Sequence, residues 1–531
     1  MEEARMQWGR WAKEIQQGKR ESFIQHLESR GLIHDVVGDR DLLHRVLTEK
    51  RVGFYAGIDP TGPSMHVGHM LPFMILAWAY VWGLPATFLL GGSTARIGDP
   101  TGRRTTREQE HSSVRRANIA SMHIQLKRLG ASIEAYGLKH GYKRQWIWRR
   151  ALTNNNTWWN KVAAIEWLRD MGAFVRLGPM LGRETVKNRL NSSEGMSFAE
   201  FTYPLMQAWD WWVLFRKGCQ VQVGGSDQYG NILFGMDCVK QASRNTALQE
   251  EKNMLDDELD RPLGITTPLL TAPNGEKIGK SGGNAIWLDK DMTSSFELYQ
   301  YFVRTPDDAV ERYLKLFTFL PMPKIENIMQ RQNQDPSKRV AQHALAREFV
   351  ELIHGQEELH IASQQHRQLF GSRHESDEEK PIAAKPDTGP PESYRSPFRE
   401  FANRAAGNRS LVFDRSFNKI LYSAGLVNSR SESHRLIMKG GAHVGGSSDG
   451  THRVEMRDEV KYQPIREGWP RDKANEFIVD NEFMLLRVGK WKHKIVKIIS
   501  DEEFTKLGLQ APGWDATMGK VDDGPGKDEK K

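Results

Sequence analysis

Cysteine is almost absent from this chain of 531 residues, which has only Cys219 and Cys238. They are not spaced C-x-x-C, and two thiols cannot build a four-cysteine zinc site. A disulfide scaffold is excluded as well, and a reducing compartment is the simple reading. An N-terminal apolar run is also missing. Residues 1–30 instead carry Glu2, Glu3, Glu14, Glu21 and Glu28. Secretory signals are apolar and organelle transit peptides are poor in acids, so a transit peptide is expected to be absent or removed. Nor does charge of one sign dominate. Lys and Arg number 75 against 67 Asp and Glu, a formal net charge of +8 that permits a polyanionic partner without requiring one. With 39% hydrophobic and 27% charged residues the chain is neither disordered nor collagen-like, and no internal repeat is visible.

One long uncharged run is present at residues 70–92, MLPFMILAWAYVWGLPATFLLGG. Its length would span a bilayer, but Gly83-Leu84-Pro85 interrupts it. It reads as a helix from about Gly68 to Trp82, a turn and a buried strand, ATFLL, so no membrane is expected as a partner. The length suggests three or four domains at about 150 residues each. Residues 1–30 read as one charged helix carrying Trp8, Trp11, Ile15, Phe23 and Leu27, ended by Gly31. From 52 to about 290, short apolar runs (VGFYAGI, ATFLLGG, CQVQVGG, PLLTA) alternate with helical stretches, the rhythm of a doubly wound α/β sheet. Residues 292–370 are helical in pattern. Five prolines and a mixed charge run mark 372–397 as a linker, and a smaller domain follows from about 409 to 510. The tail is expected to be disordered.

Two motifs point to phosphate handling. The strand FYAGI runs into Asp59-Pro-Thr-Gly-Pro-Ser-Met-His-Val-Gly-His69. Gly62 and Gly68 allow tight turns, and a helix starting at Gly68 would aim free N–H groups at a ligand above the strand. His66 and His69 lie one turn apart and can both line that place. A metal pair or satisfied core histidines are the plainer alternatives, although two histidines with no third ligand make a weak zinc site. The second motif, Asn274-Gly-Glu-Lys-Ile-Gly-Lys-Ser-Gly-Gly283, fails the P-loop spacing because Gly275 and Gly279 enclose only three residues. Lys277 and Lys280 in a glycine-flanked loop still suit a clamp on phosphate charge. A solvated basic hairpin is the alternative.

Taken together, HVGH at 66–69 and KIGKS at 277–281 resemble the His-Ile-Gly-His and Lys-Met-Ser-Lys-Ser signatures of class I aminoacyl-tRNA synthetases, in that order and at a similar separation. Val67 and Ile278-Gly279 depart from the pattern; the ring-bearing and charged positions are intact. Tyr203, Gln207 and Asp210 fall at i, i+4 and i+7, on one helix face. A partly exposed face is the plain alternative. With Tyr55 upstream the set is similar to that of tyrosyl-tRNA synthetases, where such a Tyr and Asp grip the substrate phenol. Tryptophanyl enzymes generally have Phe at the position of Tyr55 and Met at that of Gln207.

That resemblance implies the remaining assignments. Asp99, in a GGSTARIGDP segment with Thr94 nearby, would hold the substrate ammonium with Tyr203 and Gln207. Asp227 in Gly224-Gly225-Ser-Asp-Gln228 would take the ribose and Gln228 would approach the amino acid. Gly57, Asp59, Gly68, Gly225 and Ser281 would border ATP. Thr61 and His66 would meet the pyrophosphate, His69 the ribose side, and Arg103 and Arg107 the pyrophosphate. Tyr229 stands where Trp is usual. ATP is implied as a substrate with Mg²⁺, and no zinc. L-tyrosine and tRNA(Tyr) are the implied partners of a homodimer, mitochondrial and in the matrix. The implied fold is a Rossmann-like nucleotide-binding catalytic domain at 39–291 after an N-terminal helical extension (1–38). An α-helical anticodon-binding domain (292–371), a linker (372–408), an α+β S-four-like RNA-binding domain (409–512) and a tail (513–531) follow.

In the segment 416–446, Ser429 and Glu432 form a capping-box pattern, and Arg430, His434, Arg435 and Lys439 lie near one helix face. They suit RNA phosphates, or merely solvent. At 139–150 basic residues interleave with Tyr142, Trp146 and Trp148, followed by ALTNNNTWW. This reads as an insertion near 135–160 that either binds RNA or packs its tryptophans inward, the latter being favoured. Together with the N-terminal helix it resembles filamentous-fungal mitochondrial tyrosyl enzymes that promote group I intron splicing, so intron RNA is a further implied partner. The competing readings are a tryptophanyl enzyme and a catalytically inactive RNA-binding or splicing protein.

Overall fold

The computed structural model describes residues 2–101, 111–142, 149–246, 252–270, 285–370, 406–445, 462–479, 483–489, 492–506, 511–515 and 520–521. The chain forms two compact units. One comprises Met1–Asp289 with Thr293–Ala384, the other Lys290–Met292 with Lys385–Lys531.

The first unit is built on a six-stranded sheet. Its strands are β1 (Asp35–Val37), β2 (Gly53–Ile58), β3 (Ala86–Leu90), β4 (Arg150–Asn154), β5 (Cys219–Gly225) and β6 (Leu263–Thr267), in the order β1-β6-β5-β2-β3-β4. All neighbours are parallel except β1 with β6. The chain moves outward from β2 through β3 to β4, then returns to β5 on the other side of β2. Ligands of open α/β sheets bind at such a reversal, beyond the carboxyl ends of the two central strands. The Met70–Val81 helix is buried on nearly every face and packs on β2, β3 and β5. That explains its uniformly apolar sequence without a membrane. Among the described residues no helix is long and apolar enough to cross one.

Three local expectations change. The N-terminal segment forms two helices, Glu2–Gln16 and Phe23–Ser29, separated by a turn at Gly18 with φ 68°. The last strand of the sheet is LGITT and not PLLTA. Pro268 has no N–H to give a ladder, whereas Ile265, Thr266 and Thr267 are β-branched and fit one. The stretch from 150 onward also supplies a strand, β4, at the sheet edge.

Five helices follow, Ser295–Val303, Asp307–Phe317, Met322–Gln334, Val340–His354 and Gln356–Phe370. Phe302, Phe317 and Phe349 meet at their centre with ring centroids 4.4–6.0 Å apart. Arg30 ties them to the N-terminal helices. It is fully buried, donates to the carbonyls of Lys315, Thr318 and Leu320 at 3.2, 2.8 and 2.6 Å, and lies 4.2 Å from the Trp78 ring. Burial pulls its pKa down to about 10.

The second unit contains a mainly antiparallel sheet. Its strands are β7 (Ala406–Asn408), β8 (Ala442–Gly445), β9 (Tyr462–Pro464), β10 (Ile478–Val479), β11 (Phe483–Val488) and β12 (Lys492–Ile499), ordered β7-β12-β11-β8-β9 with β10 beside β11. Helices Phe417–Ser423 and Arg430–Met438 cover one face through Phe417, Ile420, Leu421 and Ile437. Ser429 caps the second helix, but Glu432 reaches back to the Asn428 N–H at 2.8 Å, one residue earlier than a reciprocal box requires.

Arg30→Met is expected to lower the unfolding free energy by about 3 kcal/mol, because two buried carbonyls and one part-buried carbonyl lose a charged donor. Denaturant titration of the variant against the parent checks this.

Candidate active site

At the carboxyl ends of β2 and β5 lies a cavity of about 350 Å³. Many of the residues singled out above converge there. Tyr55, Gly57, Asp59 and Thr61 come from β2 and its following turn, and His66, Gly68 and His69 from the next turn. Tyr203, Gln207 and Asp210 come from the Phe198–Phe215 helix. Gly225, Asp227 and Gln228 follow β5, and Asp99 closes the remaining side. Arg103, Arg107, Lys277, Lys280 and Ser281 lie outside the described residues.

Asp210 sits at the apolar end. Its Oδ1 accepts from the indole N–H groups of Trp158 and Trp159 at 2.6 and 2.7 Å, and its Oδ2 from Asn155 at 2.9 Å. Burial pushes its pKa up to about 7 against the pull of these three donors, and nearby Asp59 adds to the rise. Tyr55 is buried beside it, against Trp211, and its hydroxyl has no hydrogen-bond partner. Burial and the Asp210 charge raise the Tyr55 pKa well above its ordinary value. A buried hydroxyl left unpaired is costly, and here it borders an open cavity. A polar group of a ligand would satisfy it.

A polar chain occupies the other end. Asp99 accepts from Gln228 Nε2 at 2.6 Å and from the Thr101 N–H at 2.9 Å. Gln228 Oε1 accepts from Gln207 and Asn231, and Asn231 also donates to Gln207 Oε1 at 3.2 Å. Arg183 holds Asn231 Oδ1. Tyr203, expected beside Asp99, lies near both Asp99 and Asp59. Its hydroxyl donates to Asp59 Oδ2 at 2.8 Å, while Thr94 donates to Asp59 Oδ1 at 2.7 Å. Gly91 makes this pair possible, because a Cβ there would lie 2.0 Å from Asp59 Oδ1. Gly57 is different. Its Cβ would meet Leu89 at an ordinary 3.6 Å, so its bareness serves the cavity and not the packing.

The histidines stack with ring centroids 3.6 Å apart. His66 Nδ1 accepts from the Gly68 N–H, and His69 Nδ1 from the His66 N–H, each at 3.1 Å. In a neutral ring the proton is then on Nε2, which makes each histidine a donor suited to an anion. The turn at Val67–His69 is 3₁₀, and the α-helix begins at Met70. Residues 65–67 pair with the chain beyond the KIGKS segment: Val67 N–H donates to Ile286 and Leu288 N–H to Met65, at 3.0 and 2.8 Å. Leu269 and Leu270, which precede that segment, line the cavity.

The Phe198–Phe215 helix is fixed at its start by Glu200. This residue completes a capping box with Ser197 and receives the fully buried Arg189 through both carboxylate oxygens at 3.0 and 3.1 Å. Sequence reasoning missed Asn155, Trp158, Trp159, Arg183 and Asn231. The NTWW stretch was legible as inward-packed tryptophan, and it does pack inward; its part in holding Asp210 carried no local signal. In the second unit Arg430 is half-buried near Tyr422, while His434, Arg435 and Lys439 are exposed.

The family model for class I tRNA synthetases of the W and Y type matches residues 47–371, and that for the tyrosyl-tRNA synthetase C-terminal domain matches 402–516. The mitochondrial tyrosine–tRNA ligase of Podospora anserina is 40% identical over 526 residues, covering 97% of this chain and 81% of that protein. The Rattus norvegicus mitochondrial tyrosine–tRNA ligase is 35% identical, covering 92% and 96%. The crystal structure of a C-terminally truncated Aspergillus nidulans mitochondrial tyrosyl-tRNA synthetase matches with a TM-score of 0.67 and 73% identity, covering 70% of this chain and 100% of that one. Nucleotide-type sheet reversal, stacked histidines, a tyrosine and a carboxylate in the apolar end, and these likenesses agree: the chain belongs to the class I tRNA synthetases of the W and Y type, and within them to the tyrosyl-tRNA synthetases of mitochondrial type.

Proposed function

We propose that the chain joins L-tyrosine to tRNA(Tyr) at the expense of ATP, acting in mitochondria as its relatives' names indicate. The observation that carries the choice of amino acid is the unpaired Tyr55 hydroxyl beside Asp210. Together they offer one donor and one acceptor. A phenol hydroxyl answers both; an indole N–H can only donate, and a phenyl ring can do neither. The pocket therefore penalises phenylalanine and tryptophan by leaving buried polar groups unpaired.

The tyrosine carboxylate attacks the α-phosphorus of ATP. An oxygen–phosphorus bond forms, the bond to the bridging oxygen of the β-phosphate breaks, and pyrophosphate departs. No protein nucleophile is required, so catalysis is positioning and stabilisation of phosphate charge. His66 and Thr61 are assigned to the departing pyrophosphate, with Arg103, Arg107, Lys277 and Lys280 as its cationic surround and Ser281 beside it. His69 and Asp227 are assigned to the ribose. Gly57, Gly68 and Gly225 give the nucleotide close backbone approach, and Asp59 borders it while orienting Tyr203. Asp99, Tyr203 and Gln207 form the ammonium seat, and Gln228 approaches the amino acid. Mg²⁺ enters as the counter-ion of the ATP substrate. In the second step tyrosine passes to the 3′ end of tRNA, with Arg430, His434, Arg435 and Lys439 contacting its phosphates.

The active form is proposed to be a homodimer. Ile165, Leu177 and Phe198 are 73, 66 and 76% exposed, and Leu181 on the Leu177 helix, Leu190 and Leu233 are exposed as well. Apolar exposure of this kind suits a second copy. A further role on group I intron RNA is proposed for the N-terminal helix, whose Arg10 and Lys13 are exposed while Trp8 is buried and bonded to the Thr48 carbonyl at 3.0 Å.

ATP–pyrophosphate exchange is expected with tyrosine and not with tryptophan or phenylalanine. Tyr55→Phe is expected to raise the KM for tyrosine about tenfold and leave that for ATP unchanged. Exchange driven by tryptophan contradicts the assignment. Phe198→Asp is expected to convert a dimer into a monomer in sedimentation velocity; a parent that already sediments as a monomer sinks the dimer proposal. Because Phe23, Leu27 and Arg30 are core residues, the intron role is tested by Arg10→Glu with Lys13→Glu and not by deleting residues 1–30. Splicing should fall while tyrosine-dependent exchange is retained, and unchanged splicing removes this helix from the proposal.

A further inference from the structure

We propose that Trp159 is a positioning residue for the substrate's side-chain hydroxyl. Its indole N–H, with that of Trp158, fills Oδ1 of Asp210 and leaves Oδ2 as the acceptor that the hydroxyl meets. The inference rests on the tyrosine reading above and adds to it a residue that does not itself touch the amino acid.

The argument is a count of lone pairs. A carboxylate offers about four acceptor sites, two on each oxygen. Oδ1 takes two N–H groups at 2.6 and 2.7 Å, and Oδ2 takes one at 2.9 Å. One site remains, on Oδ2. Asp210 borders the same cavity as the unpaired Tyr55 hydroxyl, so that remaining site and the Tyr55 O–H form the two halves of one hydroxyl seat. Without Trp159, Oδ1 would regain a site and the carboxyl could receive a donor on either oxygen. The seat would then lose its single orientation.

Trp159 is built into place by its surroundings. Its backbone N–H bonds the Asn155 carbonyl at 3.0 Å in the short turn that follows β4. Its ring meets Trp167 edge-on at 5.5 Å and Trp209 at 6.5 Å. Trp167 provides an internal contrast, since its indole N–H is buried and has no partner. Trp159 and Trp167 thus share the packing role, but of these two only Trp159 points its donor at the carboxylate.

Among the described residues, the titratable groups that face Asp210 are Tyr55 from β2, Asp59 just beyond β2, and Tyr203 on its own helix. None of them is a cation. The three N–H donors are therefore what favours the ionised carboxyl against burial. Removing one donor must raise the carboxyl's pKa, so at a given pH less of it is ionised.

The test compares Trp159→Phe and Trp167→Phe in the full chain by ATP–pyrophosphate exchange, with tyrosine varied across a range of pH. Trp159→Phe keeps an aromatic ring and removes the donor together with part of the indole, a loss of ring that Trp167→Phe matches without touching a donor to Asp210. The expected result is a rise of about five- to tenfold in the KM for tyrosine, an unchanged KM for ATP, and an acid limb of the tyrosine kcat/KM profile displaced to higher pH. Trp167→Phe should change none of these. An unmoved acid limb and unmoved KM for tyrosine overturn the proposal, as does a Trp167→Phe variant that behaves like Trp159→Phe. A second measurement uses the parent protein with nitrogen-15 in its indoles. The Trp159 N–H signal should move on tyrosine addition while that of Trp167 stays, and a Trp159 signal indifferent to tyrosine overturns the proposal without any variant. Failure of the parent to exchange with tyrosine at all is a different result, because it removes the tyrosine reading itself.

Discussion

A carboxylate buried among tryptophans must be compensated, and the way Asp210 is compensated shapes the apolar end of the cavity. Three N–H groups meet it, from Asn155, Trp158 and Trp159, and they leave room for one more donor. The Tyr55 hydroxyl stands beside it unpaired. The proposed specificity rests on this incompleteness. A pocket fully satisfied without its ligand has no reason to prefer a hydroxyl, whereas one that lacks a donor and an acceptor is completed only by a group supplying both.

The rest of the first unit holds those few atoms in place. The sheet reverses at β2 and β5, so that Tyr55, Asp59, Asp227 and Gln228 emerge around one opening. The Arg189–Glu200 pair fixes the start of the helix that carries Tyr203, Gln207 and Asp210. Pairing of residues 65–67 with 286–288 binds the histidine turn to the chain just beyond KIGKS. Two charge states are thus kept apart in one cavity. In the proposed reading the apolar end carries an acceptor for a neutral hydroxyl, and the histidine end donors for an anion.

Much of this was legible in the sequence because the informative residues are close together along the chain. HVGH, GGSDQ and the Tyr203–Asp210 helix each lie within one short stretch; glycine spacing and periodicity show the turn and the shared helix face, and the resemblance to class I synthetases implies the roles. The long uncharged run at 70–92 was legible as helix, turn and strand through Gly83 and Pro85. What was not legible depends on distant pairing. Nothing within NTWW says that its indoles reach a carboxylate fifty residues onward; only β4, an edge strand in a basic and aromatic stretch, brings them there. Asn231 and Arg183 escaped for the same reason. The hydrogen bond of Tyr203 to Asp59 was likewise hidden, because it joins a helix to the turn after a distant strand. Choosing PLLTA over LGITT weighed apolarity above the missing proline N–H.

The most direct test of the central claim is a crystal structure of the full chain with tyrosine bound. The account predicts the phenol oxygen within hydrogen-bond distance of both the Tyr55 hydroxyl and Asp210 Oδ2, with Trp158 and Trp159 still on Oδ1. A phenol oxygen seated on Oδ1, or a ring turned so that the hydroxyl faces Asp99 and Gln228, would contradict it.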